Sequence, residues 1–185
     1  MILDPLYTHK DFNKDVLPYL CNGIFIDTSV LKIFIDGFVS IRFRHVKNQD
    51  YDRLISILNY LGYNNAWNKF LITPHVLTEI CRHIQVSYNK NDYFKDFINE
   101  IMPIFKDIKE VENVTKEKII ELINLDKPVI EIGDISLFVS IDRLIQNYNK
   151  TAVLVKDSGF NSRYENDNKT MIIDFERTYL NLSSI

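Results

Sequence analysis

Short unbroken apolar runs alternate along this chain with longer stretches in which apolar residues recur every three or four positions. The first pattern predicts strands buried on both faces, the second amphipathic helices. Two of the runs stop abruptly at aspartate: Gly23-Ile24-Phe25-Ile26-Asp27 and Ala152-Val153-Leu154-Val155-Lys156-Asp157. Each aspartate then sits at the carboxyl end of a central strand in a parallel sheet, the edge where open α/β folds build their sites. Phe70-Leu71-Ile72 and Met171-Ile172-Ile173 are two further strand candidates.

Helical stretches fill the intervals. Residues 28–35 suit a helix opened by a hydroxyl cap at Thr28 or Ser29, whereas residues 39–46 fit helix and strand equally well. Residues 49–61 place Tyr51, Leu54, Ile55, Leu58 and Leu61 at helical spacing, and Gly62 ends them. Thr73-Pro74 combines a hydroxyl cap with proline at the first helical position, and the helix it opens turns Val76, Leu77, Ile80 and Ile84 inward. Residues 93–105 repeat helically and residues 116–123 offer a shorter helix. The segment opened by Gly133-Asp134 carries Leu137, Phe138, Ile141, Leu144, Ile145 and Tyr148 on one stripe. Strands alternating with helices in this way predict an α/β layer fold with a central, mainly parallel sheet flanked by helices.

Composition narrows the class. A chain of 185 residues with 46% hydrophobic content is one domain, residues 1–185, with enough apolar surface for a proper core. Cys21 and Cys81 lack pairing or metal-ligand spacing, which argues for a reducing compartment, by default the cytoplasm. Residues 1–15 contain Asp4, Asp11 and Asp15 and no apolar core of a signal peptide, and no run reaches the roughly 18 apolar residues of a membrane span. With a net charge of −3, any nucleic acid must be met by a local basic patch.

Four carboxylates stand where chemistry is expected: Asp27 and Asp157 at strand ends, Glu79 in the helix after Thr73-Pro74, and Asp134 at the next helix start. Stepping back three, four and seven residues from Leu137, Phe138 and Ile141 lands on Asp134, so it extends the apolar stripe, where a carboxylate needs a partner. Structural readings compete at every position. Asp134 could simply favour the helix dipole, worth about 0.3–1 kcal/mol, and Asp27 and Asp157 could be turn residues. Glu79 lies four residues from both His75 and His83, a row compatible with zinc, although i,i+4 surface pairs are the commoner meaning. As a set, carboxylates converging at the end of a sheet repel one another unless a divalent cation neutralises them, and hard oxygen donors select Mg²⁺ or Mn²⁺.

The run Ile24-Phe25-Ile26-Asp27-Thr28-Ser29-Val30-Leu31 resembles the opening motif of the PIN-domain nucleases. Thr73-Pro74-His75-Val76-Leu77-Thr78-Glu79-Ile80 is similar to the family's proline-started helix with glutamate, and Ile132-Gly133-Asp134-Ile135-Ser136-Leu137 to its third, Gly-Asp signature. Val153-Leu154-Val155-Lys156-Asp157-Ser158-Gly159-Phe160 is similar to the fourth, with Lys156 near the family's usual hydroxyl residue. The resemblance implies a PIN-like three-layer fold with helical insertions around 38–63 and 85–127. It implies Asp27, Glu79, Asp134 and Asp157 as catalytic metal ligands, Ser29 or Thr28 fixing Asp27, and Glu131 assisting. It further implies a Mg²⁺- or Mn²⁺-dependent ribonuclease, a toxin-type member held by an antitoxin or another regulatory protein, and a homodimer.

In such an enzyme the metal supplies hydroxide and stabilises the phosphodiester in an in-line displacement, with no protein nucleophile. Substrate phosphates need cations, and Arg42, Arg44, His45 and Lys47 form a dense basic cluster, although a solvated charged edge or helix face is the stronger reading of it, with Arg82 and Arg163 as second candidates. Tyr63, Trp67 and Tyr88 are the aromatic candidates for stacking bases, packing being the stronger reading for Trp67. A PIN-like scaffold without activity is the main rival. An aspartyl phosphatase is disfavoured because Ser29 stands where that chemistry needs a second aspartate.

Overall fold

In the computed structural model five strands form one sheet in the order β3-β2-β1-β4-β5: β1 Ile24–Ile26, β2 Phe70–Ile72, β3 Lys109–Glu110, β4 Thr151–Val155 and β5 Thr170–Asp174. The structure describes residues 12–111, 117, 120, 132–147, 150–156, 164 and 167–182. Every neighbouring pair of strands is parallel. β1, β2, β4 and β5 are buried at every position, as expected of strands covered on both faces. β3 is the exception. Its two exposed charged residues pair with Leu71 and Ile72 of β2, closing that edge with Lys and Glu instead of apolar surface, so no hydrophobic run announces it.

Among the described residues seven α-helices flank the sheet in a three-layer α/β arrangement: α1 Leu17–Leu20, α2 Thr28–Arg42, α3 Gln49–Tyr60, α4 Pro74–Tyr88, α5 Phe94–Asp107, α6 Ile132–Asn147 and α7 Phe175–Leu182. Local chemistry sets their starts. Asn48 accepts the Tyr51 amide at 3.0 Å, and Thr73 accepts the Val76 amide at 3.3 Å with Pro74 next in line. Of the segment 116–123, Glu117 and Ile120 are described, and both are helical. None of the described helices is long and apolar enough to cross a membrane.

α2 runs well past residue 35, which resolves the ambiguity of residues 39–46 in favour of helix as far as Arg42. Gly37 lies inside it at a cost of about 1 kcal/mol in helix propensity. The reason is packing: a Cβ at Gly37 would overlap Cβ and the ring of Tyr51, which stacks on Phe34 at 5.8 Å. Phe34 in turn meets Trp67 at 4.4 Å, and Trp67 meets Phe70 of β2 at 5.4 Å. This aromatic column ties α2 and α3 to the sheet.

Strand order reverses between β1 and β4, so the crevice outside their carboxyl ends is the topological switch point of the fold. The main-chain amide of Asp27 donates to Leu154 O at 3.1 Å and carries the β1 ladder to that edge.

Gly37→Ala should be destabilising despite the better propensity of alanine. Overpacking against Tyr51 is expected to cost about 3 kcal/mol, lowering Tm by roughly 6–12 °C for a domain of this size. An unchanged or higher Tm in thermal unfolding would show that α3 moves freely off α2.

Candidate active site

The site begins with the cap of α2. Asp27 is only 7% exposed, yet its carboxylate is held from one side by the helix it starts. Oδ1 accepts the Thr28 amide at 2.6 Å, while Oδ2 accepts the Ser29 amide at 3.3 Å and the Ser29 hydroxyl. Burial pushes the Asp27 carboxyl above its ordinary value. The hydrogen bonds from Ser29 and Thr28 pull it back, and the charge of Glu79 adds to the rise.

Glu79 reaches this point from α4. Its Oε2 accepts the Thr28 hydroxyl at 2.7 Å, so Ser29 fixes the first acid and Thr28 ties the second to it. Gly133 of α6 closes over the Glu79 carboxylate: a Cβ there would lie 3.1 Å from Oε1 and 3.2 Å from Oε2. A buried relay holds the two helices in this relation. The Thr73 and Ser136 hydroxyls meet at 2.6 Å, and Ser136 donates to Gly133 O at 2.7 Å. Asp134, the next residue, is half-buried in the first turn of α6. Three distant segments thus bring Asp27, Thr28, Ser29 and Glu79 together with Gly133, while Asp134 joins Asp27 and Glu79 in no group able to hold an ion. Asp157, Glu131 and Arg163 lie outside the described residues.

Among the described residues neither Asp27 nor Glu79 is paired with a cationic side chain. Two neighbouring carboxylates of this kind, one of them deeply buried, have the donor chemistry of a hard divalent cation site. Among the described residues no group of three or more His, Cys, Asp or Glu is placed to hold an ion, so the geometry brings together two acids and no more. The His75, Glu79, His83 row is not a zinc site in this geometry: Glu79 serves Thr28, and His83 Nε2 lies 2.6 Å from Asp36 Oδ1.

The basic cluster stands elsewhere. Arg42 ends α2, some 15 residues and roughly 22 Å of helix from Asp27. Its Nε is bonded to Glu100 at 2.9 Å, and Arg44 Nε donates to the Tyr93 hydroxyl at 3.1 Å. Lys47 is exposed in the turn that follows. Arg82, by contrast, lines a groove of about 380 Å³ together with Lys32, Glu79, His83, Val86 and Ser87. The aromatic candidates are structural: Trp67 packs between Phe34 and Phe70, Tyr88 is buried and donates to Asp36, and Tyr63 donates to Leu20 O at 2.7 Å.

Two groups were overlooked in the sequence. Met171-Ile172-Ile173-Asp174 repeats the apolar run ending in aspartate. Asp174 is 7% exposed at the carboxyl end of β5 and accepts the Arg177 amide at 2.9 Å. It pairs with Val155, two strands from Asp27 and thus about 10 Å away along the same edge. Asp36 joins His83 and Tyr88 across α2 and α4, and its only sequence signal was a charge interrupting the apolar stretch.

Asp27→Asn should raise metal-free Tm at pH 7. A carboxyl raised in the folded state binds more protons folded than unfolded, so its ionisation removes stability as pH rises through the folded value. The advantage of the variant should therefore vanish below pH 3.8 and be full at neutral pH. Asparagine keeps the cap, so Asp27→Ala should fall about 1 kcal/mol below Asp27→Asn. A variant series less stable than the wild type at every pH would assign Asp27 a purely structural role.

No family model matches the chain, and no curated protein or solved structure matches it either, so the reading of the site rests on its own residues and geometry.

Proposed function

We propose that this chain is a PIN-like, Mg²⁺- or Mn²⁺-dependent endoribonuclease that hydrolyses RNA phosphodiester bonds at its acidic cluster. The observation that carries the reading is the buried Asp27 carboxylate beside that of Glu79, at the switch point of an all-parallel sheet, with no described cation paired to either. Asp27 and Glu79 would hold the metal, with Asp157 completing the set, Glu131 assisting, and Asp134, which forms no ion-holding group with them in this geometry, joining on binding. When bound, such a cation lowers the pKa of a coordinated water and offsets charge building on the phosphodiester.

The chain's own residues do the positioning. The Thr28 and Ser29 amides and the Ser29 hydroxyl fix the Asp27 oxygens, and the Thr28 hydroxyl draws Glu79 towards them. Gly133 leaves room for the Glu79 carboxylate that a larger residue would displace. Lys156 is held away from the acids, 3.7 Å from Asp50 and 4.0 Å from Glu176, consistent with its replacing a hydroxyl residue without neutralising the site. Free, exposed Cys21 and Cys81 suit a reducing compartment such as the cytoplasm. An antitoxin or other regulatory protein, and a second copy of the chain, are the partners that accompany this reading.

A second reading, a PIN-like binding module without catalysis, is favoured by one observation: no three described acids, histidines or cysteines can hold an ion.

Incubation with mixed single-stranded RNA in Mn²⁺, Mg²⁺ or EDTA separates the two. Cleavage is expected with either metal and not in EDTA, and Asp27→Asn or Asp134→Asn should slow it by at least ~100-fold, the upper range for even an outer-shell residue of a metal site. Metal-independent cleavage would indicate a contaminant. No cleavage by well-folded wild type, together with no metal-dependent rise in Tm, would favour the binding module.

A further inference from the structure

The groove beside Glu79 has the lining of a track for a single strand. It lies between α2 and α4, encloses about 380 Å³ and is walled by Lys32 on the first helix and by Arg82, His83, Val86 and Ser87 on the second. Glu79 belongs to the groove and to the acidic pair at once, so a ligand in the groove lies against one member of that pair. The volume is that of a small-ligand site.

The charges along it are already sorted. Asp36 is engaged by His83 and Tyr88, and Glu79 by Thr28. Among the described residues neither Lys32 nor Arg82 is paired with a carboxylate, unlike Arg42, whose partner is Glu100. Two uncommitted cations on facing helices are what a phosphate backbone requires. Val86, 75% exposed, adds an apolar surface on which a ribose or base face can rest. His83 Nδ1 lies 3.4 Å from the Ser87 hydroxyl, so the polar groups of this wall hold one another and leave the two cations to the ligand.

We propose that the groove between α2 and α4 is the phosphate-binding track for single-stranded RNA, with Lys32 and Arg82 contacting its backbone as it approaches Glu79, and that the Arg42–Lys47 cluster is not. The inference rests on the nuclease reading for its choice of ligand.

Its test reads binding, not cleavage: fluorescence anisotropy of a labelled single-stranded oligoribonucleotide, in EDTA, across a salt series. Lys32→Ala and Arg82→Ala should each weaken binding, and each should reduce the slope of log K against log salt by about 0.7, the value per phosphate contact on a single strand. Arg42→Ala and Arg44→Ala should leave both unchanged, and a hairpin duplex should bind more weakly than the single strand. Unchanged Tm confirms that each variant folds. Slopes reduced by the Arg42 and Arg44 variants alone, or no RNA bound by the wild type, would overturn the track. Binding through Lys32 and Arg82 without any metal-dependent cleavage would uphold the track and sink the nuclease reading. Cleavage with slopes untouched at Lys32 and Arg82 would do the reverse.

Discussion

A carboxylate removed from water between the end of β1 and the start of α2 is the constraint around which the surrounding edge is arranged. Burial disfavours the ionised Asp27, and the chain offsets that cost with the first amides of α2, the Ser29 hydroxyl and the favourable end of the helix dipole. Those same bonds settle where α2 points. With the Thr28 amide committed to Asp27, its hydroxyl is directed to Glu79, and α4 must lie close enough to supply it. Farther along, Asp36 bridges to His83 and Tyr88, so the two helices are joined at successive turns by polar contacts as well as by packing.

α6 joins through small residues. Thr73 and Ser136 meet as buried hydroxyls, a contact that larger side chains would prevent, and Gly133 lies against the Glu79 carboxylate where a Cβ would crowd it. The arrangement tolerates an acid pair because each member has hydrogen-bond donors of its own. Among the described residues no cation is paired with either acid, and Lys156, just past β4, lies against Asp50 and Glu176.

Much of this was legible because central parallel strands bury both faces, so β1, β2, β4 and β5 appear as plain apolar runs, with Asp27, Thr73 and Asp174 at the carboxyl ends of β1, β2 and β5. β3 was invisible because an edge strand of Lys and Glu carries no hydrophobic signal. The far end of α2 was ambiguous because Gly37 looks like a break, and only contact with Tyr51 explains it. That Ser29 or Thr28 would fix Asp27 could be read from the motif they share with it. The Thr28–Glu79 bond, 51 residues apart, and the Thr73–Ser136 contact, 63 apart, could not, because nothing local specifies which distant group answers a hydroxyl.

Charge was the property that sequence represented least faithfully, and the reason is general. Along a chain one sees density of basic residues, whereas a ligand meets the charge left over after pairing. Arg42 stands in the densest cluster and is bonded to Glu100, 58 residues away. Arg53 lies 3.5 Å from Asp50 and 3.8 Å from Glu176, and sits over the Tyr179 ring at 4.8 Å. Lys32 looks unremarkable in sequence, inside an apolar stretch, and Arg82, three residues past an acid, stands out only as a second candidate behind the denser cluster. Helical geometry projects them from two neighbouring helices into one groove, where no described carboxylate claims them. In a chain of net charge −3, unpaired positive charge therefore arises from such withheld pairing and not from local abundance of basic residues.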